Sequence, residues 1–296
     1  MGPGIGRRRA GAIMKRIRIV HRTEYHYHEP VQFGPHRALL RPREGHDVHI
    51  AGSKLAMEPA ADVRWIRDVY GNSIAFLTFH EPSPMLRLES EVDVDLYEDG
   101  PIDCAVDPSA QWYPFQYDAA EQVEIVPYRL PSYPHDGAAV QAWLRDLYTP
   151  GKLIHTAELL NGLNDLVYRS FRYNRREEPG VQVPCETLRL GTGSCRDYAV
   201  MMMEAARHLG FAARFVTGYI QMGEDQHGAT HAWTEVYIPG AGWRGFDPTN
   251  AKLAGSEHVS VAVSRDHEKA SPLSGSWSGP AGAFSHMDVS VQVFAI

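Results

Sequence analysis

With 44% hydrophobic and 22% charged residues, this chain of 296 residues is composed like an ordinary folded protein and is long enough for two cored domains, which excludes a fibrous or largely disordered molecule. Lys plus Arg number 29 against 36 Asp plus Glu, a formal charge of −7, and apart from Arg7, Arg8 and Arg9 the basic residues are scattered, so a nucleic-acid partner is not expected. Cys104, Cys185 and Cys195 cannot all pair and have no CxxC spacing, which argues for a reducing compartment without structural zinc. No apolar run approaches the ~20 residues that span a bilayer, and no apolar signal core follows the arginines, so the expectation is a cytoplasmic protein without a membrane partner.

Residues 1–13, rich in Gly and Arg, read as a disordered arm. From Ile17 to Tyr27 the residues mostly alternate with period two, as in a half-buried strand. Similar short segments recur at Arg64 to Asp68, Ile74 to Phe79 and Leu86 to Tyr97, punctuated by Tyr70-Gly71-Asn72 and prolines, so residues 14–100 are expected to form an antiparallel β-sandwich domain. Residues 101–135 hold six prolines and no sustained periodicity, the pattern of an irregular linker.

The period then changes. Val140, Trp143, Leu144, Leu147 and Tyr148 follow Asp136 as N-cap, and Leu159, Leu160, Leu163, Leu166 and Val167 follow Thr156, predicting two amphipathic helices. A third helix, from about Cys195 to Leu209, is apolar nearly all round and should be buried. Strand patterns follow at Ala212 to Ile220, His231 to Ile238, Trp243 to Asp247, Val259 to Val263 and Met287 to Val293. Helices first and an antiparallel sheet after them make residues 136–296 an α+β unit.

Chemistry concentrates where that third helix begins. In Gly191-Thr-Gly193-Ser194-Cys195-Arg196-Asp197, Ser194 can cap the helix with Asp197 three positions on, a capping-box variant that puts Cys195 in the first turn. Free N–H groups and the helix dipole favour a thiolate there and can bind an oxyanion, and Gly191 and Gly193 allow close approach of a substrate. A thiolate nucleophile also needs an imidazole and a group that orients it. His231 opens one strand, and Asp247 closes the next, before Pro248. Pro239-Gly240 fits a type II turn between them. Pairing Val236 with Gly242, across the five-residue loop Tyr237 to Ala241, would set His231 directly opposite Asp247.

These blocks, Gly193-Ser-Cys195-Arg-Asp197-Tyr-Ala, Leu209 to Tyr219, His231-Ala-Trp233 and Gly242-Trp-Arg-Gly-Phe-Asp247-Pro-Thr, resemble the core of the transglutaminase-like superfamily. Over residues 14–296 the chain resembles the bacterial transglutaminase-like proteins of cysteine protease type, through Leu40-Arg-Pro42-Arg and Asp68-Val-Tyr-Gly71-Asn72 ahead of the core and His258-Val-Ser-Val-Ala-Val-Ser-Arg-Asp266 and Ser271-Pro-Leu-Ser-Gly275 after it. The resemblance implies a papain-like core preceded by a β-sandwich. It also implies Cys195 as nucleophile, His231 as general base and acid, and Asp247 as the orienting group, acting on a protein or peptide substrate; some transglutaminases require calcium, but the chain has no D-x-D-x-D-G loop to hold it, so no cofactor is expected. Hydrolysis of an amide is the favoured reaction, with acyl transfer to an amine or a non-catalytic peptide-binding module as alternatives.

Other residues carry plainer expectations. Gly193, Ser194 and Trp233 are substrate or oxyanion candidates, with Trp233 and Trp243 equally readable as core or cleft walls. Asp197 and Arg214 are expected as a buried ion pair or, for Asp197, as a cap. Asp93 and Asp95 read as solvated charge, and Cys104 and Cys185 as structural thiols. His26 and His28 share a strand face, but no third metal ligand is evident near them, and no calcium loop of D-x-D-x-D-G type occurs.

Overall fold

The computed structural model describes residues 14–97, 105–176, 178–221 and 229–296; the expected arm at 1–13 and Cys104 lie outside them. The first strand pattern becomes β1 (Met14–Phe33), the longest strand described, followed by β2 (His36–Ala38), β3 (Val48–Glu58), β4 (Ala61–Arg67), β5 (Ser73–Phe79) and β6 (Ser83–Tyr97). Periodicity predicts β1 and β4 to β6; β2 and β3 it does not. β1 and β6 pair antiparallel with Ile17 opposite Val94 and Ile19 opposite Val92, so their apolar residues share one face. On the other face Arg18 faces Asp93 and Arg16 faces Asp95, each pair bidentate. The two aspartates are therefore cross-strand ion pairs, and Asp95 is buried, not the solvated charge expected.

The segment expected to be an irregular linker contains α1 (Ala119–Arg129), capped by Asp118 and carrying Pro127 inside it. Two-residue ladders join β7 (Trp112–Tyr113) to β8 (Ile154–His155) and β9 (Arg172–Tyr173) to β10 (Thr192–Gly193). The helices of the second half are α2 (Gly137–Leu144), α3 (Thr156–Ser170), α4 (Pro184–Leu190) and α5 (Cys195–His208). Asp136 stands at the N-cap position of α2 as expected, but its carboxylate makes no cap bond and instead accepts the Cys185 N–H. Thr156 is the first residue of α3, its hydroxyl bonded to the Ala110 carbonyl.

A five-stranded antiparallel sheet follows, built of β11 (Ala212–Ile220), β12 (Ala229–Ile238), β13 (Gly242–Asp247), β14 (Lys252–Leu253) and β15 (His258–Ser264), in the order β14-β13-β12-β11-β15. The buried helix α5 packs on it: Ala199, Val200, Met201, Met202 and Met203 join Phe215, Val236 and Phe246 in one core. Ile17, Ile19, Val92 and Val94 belong to that same core, so β1 and β6 serve both halves of the molecule.

The last strands, β16 (Leu273–Ser274), β17 (Trp277–Ser278) and β18 (Phe284–Ala295), return to the first half: β16 pairs with β2, and β17 and β18 pair with β1. Alternation identifies a strand but not its partner, and these residues, grouped by sequence with the second half, complete the amino-terminal sheets. The architecture is α+β, a helix-on-sheet core preceded by antiparallel β-sheets.

Candidate active site

Helix α5 starts as its sequence predicts. Ser194 and Asp197 form a reciprocal capping box, the Asp197 carboxylate accepting the Ser194 N–H at 2.7 Å and its hydroxyl at 2.8 Å. Asp197 is fully buried, and its cation is Arg176, at 2.8 and 3.0 Å, with the Gln182 N–H at 2.7 Å. Arg214, expected as that partner, instead faces Glu235 across the β11–β12 ladder, bonds it at 2.6 Å and lies over Trp243. Side chains directly opposite on a sheet are the nearest partners, and Arg214 takes the one across its ladder.

The cap also revises two oxyanion candidates. The Ser194 N–H and hydroxyl are both engaged by Asp197, so neither points to a substrate. Gly193 lacks a Cβ for a local reason: a methyl there would sit 2.8 Å from the Asp197 Cβ. Cys195 itself, half-buried, stands at the first helical position.

His231 and Asp247 meet, but by a register other than the expected one. The strands pair Ile238 with Gly242 and Val236 with Arg244, two residues away from the predicted alignment, and the ladder ends at Thr234 opposite Phe246. The turn at Pro239-Gly240 does form, with Gly240 at φ 81° and the Ala241 N–H bonded to the Ile238 carbonyl. Gly242, also at positive φ, 73°, lets the chain re-enter the ladder sooner than the expected five-residue loop allows. A two-residue shift keeps both side chains on one face. Nε2 of His231 lies 2.9 Å from Oδ2 of Asp247, a short contact whose N–H is not aimed along the line to the oxygen. The Cys195 thiol is near enough to the imidazole to act on its titration. Because Nε2 is on the carboxylate side, Nδ1 is the nitrogen left for sulfur.

That Asp247 oxygen has more than one suitor. Nε2 of His258 donates to it at 3.0 Å and the Asn250 amide at 2.7 Å, while the other oxygen takes the Thr249 N–H at 3.1 Å. His258 is buried, and its Nδ1 accepts the Gly255 N–H at 3.3 Å, which fixes the proton on Nε2. His231, Asp247 and His258 offer donor atoms close enough to hold a metal ion, yet a ring nitrogen that bears a proton cannot ligate, so the cluster reads as a hydrogen-bonded chain. Sequence reading places His258 only in a tail block. Nothing local links it to Asp247; β11, paired with β12 on one side and β15 on the other, brings them together.

Trp233, a substrate candidate, is buried and forms the floor: its ring stacks beside His231 at 6.2 Å and meets His258 edge-on at 5.3 Å. Two glycines make room for it. A Cβ on Gly218, opposite His231, would come within 2.7 Å of the indole, and one on Gly245 within 3.2 Å.

The electrostatics follow. Burial works against a charged His231, but the close Asp247 carboxylate and the Cys195 thiol, by contact and by charge, outweigh it and raise the imidazole to about 9. Burial alone would favour the neutral acid of Asp247; the two imidazoles and Asn250 overcome it and hold the carboxyl far below its ordinary range. His258 goes the other way, lowered by burial and by the charge of His231 despite its bond to Asp247. Two histidines on one carboxylate are thus separated in protonation.

The Transglutaminase-like superfamily model matches residues 151–248, which contain Cys195, His231 and Asp247, and the Bacterial transglutaminase-like N-terminal region matches residues 17–95. An uncharacterized protein of Mycobacterium tuberculosis is 30% identical over 279 residues, covering 88% of this chain and 87% of its own. A second, from Mycobacterium leprae, is 25% identical over 297 residues, covering 95% and 99%. Among solved structures, a Cytophaga hutchinsonii protein described as a "Putative Cysteine Protease" superposes with a TM-score of 0.74 at 20% identity, covering 96% of this chain and 92% of that one, and shares the fold. By sequence and by fold, the chain belongs to the transglutaminase-like superfamily, its core preceded by the bacterial transglutaminase-like N-terminal region.

Proposed function

We propose that the protein is a thiol-dependent amide or peptide hydrolase with Cys195 as nucleophile, His231 as proton carrier and Asp247 as the group that orients it. The observation that carries this reading is the 2.9 Å approach of His231 Nε2 to Asp247 Oδ2, with Cys195 in the first turn of α5 and acting on the same imidazole. Nδ1 of His231 takes the Cys195 thiol proton, the sulfur attacks a carbonyl carbon, and the negative charge moves to oxygen. The Cys195 and Arg196 N–H groups, which come before the first N–H that bonds back to Ser194, are the donors this reading assigns to receive it. As the C–N bond breaks, Nδ1 of His231 delivers its proton to the departing amine and leaves a thioester. Water then attacks the thioester, His231 takes a proton from it, and the carboxylate departs as sulfur is released.

His258 and Asn250 act through Asp247. Their donors fix the carboxylate, so that His231 is held by a group that cannot swing away. Acyl transfer would differ only in the last step, with a primary amine in place of water.

The test is incubation with a library of peptide amides in ¹⁸O-labelled water, with and without a primary amine, read by mass spectrometry. The expected result is ¹⁸O in the new carboxylate and no product with Cys195→Ala. Turnover retained by Cys195→Ala overturns the reading, and amine adducts in place of ¹⁸O would reassign it to acyl transfer.

A further inference from the structure

Far from the triad along the sequence, the first and last strands bring together a second set of chemistry-bearing side chains. In the β1–β18 ladder His26 stands opposite His286 and Glu24 opposite Asp288. Residues two apart on a strand share a face, so two imidazoles and two carboxylates project from the same side of this pair. The sequence offers His26 no further ligand nearby; the pairing of β1 with β18 supplies it.

The distances are those of a coordination shell. Nε2 of His286 lies 3.3 Å from Oδ2 of Asp288, and Nε2 of His26 lies 3.8 Å from that same oxygen and 3.8 Å from Oε2 of Glu24. In a tetrahedral site with ligand bonds of about 2.0 to 2.1 Å, neighbouring donor atoms are about 3.3 Å apart. The two distances to Asp288, 3.3 Å from His286 and 3.8 Å from His26, lie within about half an ångström of that spacing, and the donor atoms of all three residues lie within 4.8 Å of one another. The hydroxyl of Ser285 is 3.0 Å from Nδ1 of His286, a contact that can take the ring's N–H and leave the lone pair on Nε2 for an ion. The two imidazoles stack at 4.5 Å with planes 11° apart, so each must turn about its Cβ–Cγ bond to point at a common centre. That torsion is soft, and the side chains, 31% and 58% exposed, are free to make it. The nearby guanidiniums are already committed, Arg87 to Glu58 and Arg22 to Glu89, which leaves Glu24 and Asp288 as the charge facing the pair.

The geometry points to a binding site for a divalent transition-metal ion of the zinc class, ligated by His26, His286 and Asp288 with Glu24 as a fourth ligand. Two imidazole nitrogens select such ions over calcium or magnesium, which take oxygen. An ion there ties the last strand to the first, and β1 is also a wall of the core under the triad.

The experiment is titration of the full-length Cys195→Ala protein, which lacks the thiol beside His231 and keeps Cys104 and Cys185 as the thiols a thiolate band would report, with Co(II), followed by its visible d–d bands, and with Zn(II) by calorimetry. The expected result is one ion per chain at micromolar Kd, with the bands of nitrogen and oxygen ligation and no thiolate-to-metal band, and a Tm that rises with Zn(II). His286→Ala and Asp288→Asn, both at exposed positions, should each weaken binding at least tenfold and abolish the Tm rise while leaving the metal-free Tm in place. Millimolar binding only, a thiolate band, or affinity unchanged in His286→Ala would overturn the proposal.

Discussion

His258 reaches the same oxygen of Asp247 that faces His231: the two Nε2 atoms lie 3.0 and 2.9 Å from Oδ2. One carboxylate therefore organises two imidazoles, one held protonated and one held neutral. This arrangement predicts a split between two replacements. His258→Gln keeps an N–H donor without a titrating ring and should retain activity within about threefold, whereas His258→Leu should lose roughly 10- to 100-fold in kcat. Protonating His258 breaks its Gly255 contact and sets a second cation beside His231. The Gln variant should therefore extend activity to lower pH, and kcat/KM profiles of the three proteins check this. Equal loss in both variants would reduce His258 to a packing residue.

His231 titrates in the opposite sense. Its value is raised above the ordinary 6.5, so the stability its protonated ring contributes is complete below about 6.5 and is lost as pH rises through about 9. Activity that needs its proton for the leaving amine should fall on the same alkaline limb. Asp247→Asn removes the negative partner, so the limb should move to lower pH and kcat should drop by about 10²-fold or more. A pH–rate series on both proteins decides it.

Asp197 offers a stability test separate from catalysis. Asp197→Asn leaves Arg176 without its buried partner and weakens the cap of α5, and should cost about 3 kcal/mol by urea denaturation. Ser194→Ala removes only the cap hydroxyl and should cost about 1 kcal/mol.

The amino-terminal region holds the site from outside. Asn72, fully buried, bonds both the N–H and the carbonyl of Val263, at 2.9 and 2.8 Å, and is itself held by Arg43 and Asp68. Tyr70 packs with Val216, Trp233 and Val263, under the imidazoles. Asn72→Ala should cost roughly 2 to 4 kcal/mol through the polar groups it strands. Hydrogen exchange across 258–264 should accelerate as β15 loosens; unchanged protection there would contradict the clasp.

What could be read from the sequence depended on range. The start of α5 is a local matter of four residues, Ser194 to Asp197, and was legible in full. The hairpin was legible in its turn and in the face its side chains share, but the register was off by two residues because the positive φ of Gly242 has no signature in the pattern. His258 and the pairing of β18 with β1 were not legible, since both depend on which strands become neighbours. The Asp197 partner failed for the same reason: composition offers many arginines, and only the folded chain selects Arg176.

The most direct test of the nucleophile is intact-mass analysis and peptide mapping after brief treatment with limiting iodoacetamide at pH 6. Exposure alone points to Cys185, which is exposed while Cys195 is only half so; but Asp136, hydrogen-bonded beside the Cys185 thiol, raises it and keeps it unreactive. The predicted result is a single adduct on Cys195, formed markedly more slowly in His231→Ala. Labelling that favours Cys185, or that is indifferent to the loss of His231, would contradict the assignment of Cys195 and His231 as a catalytic pair.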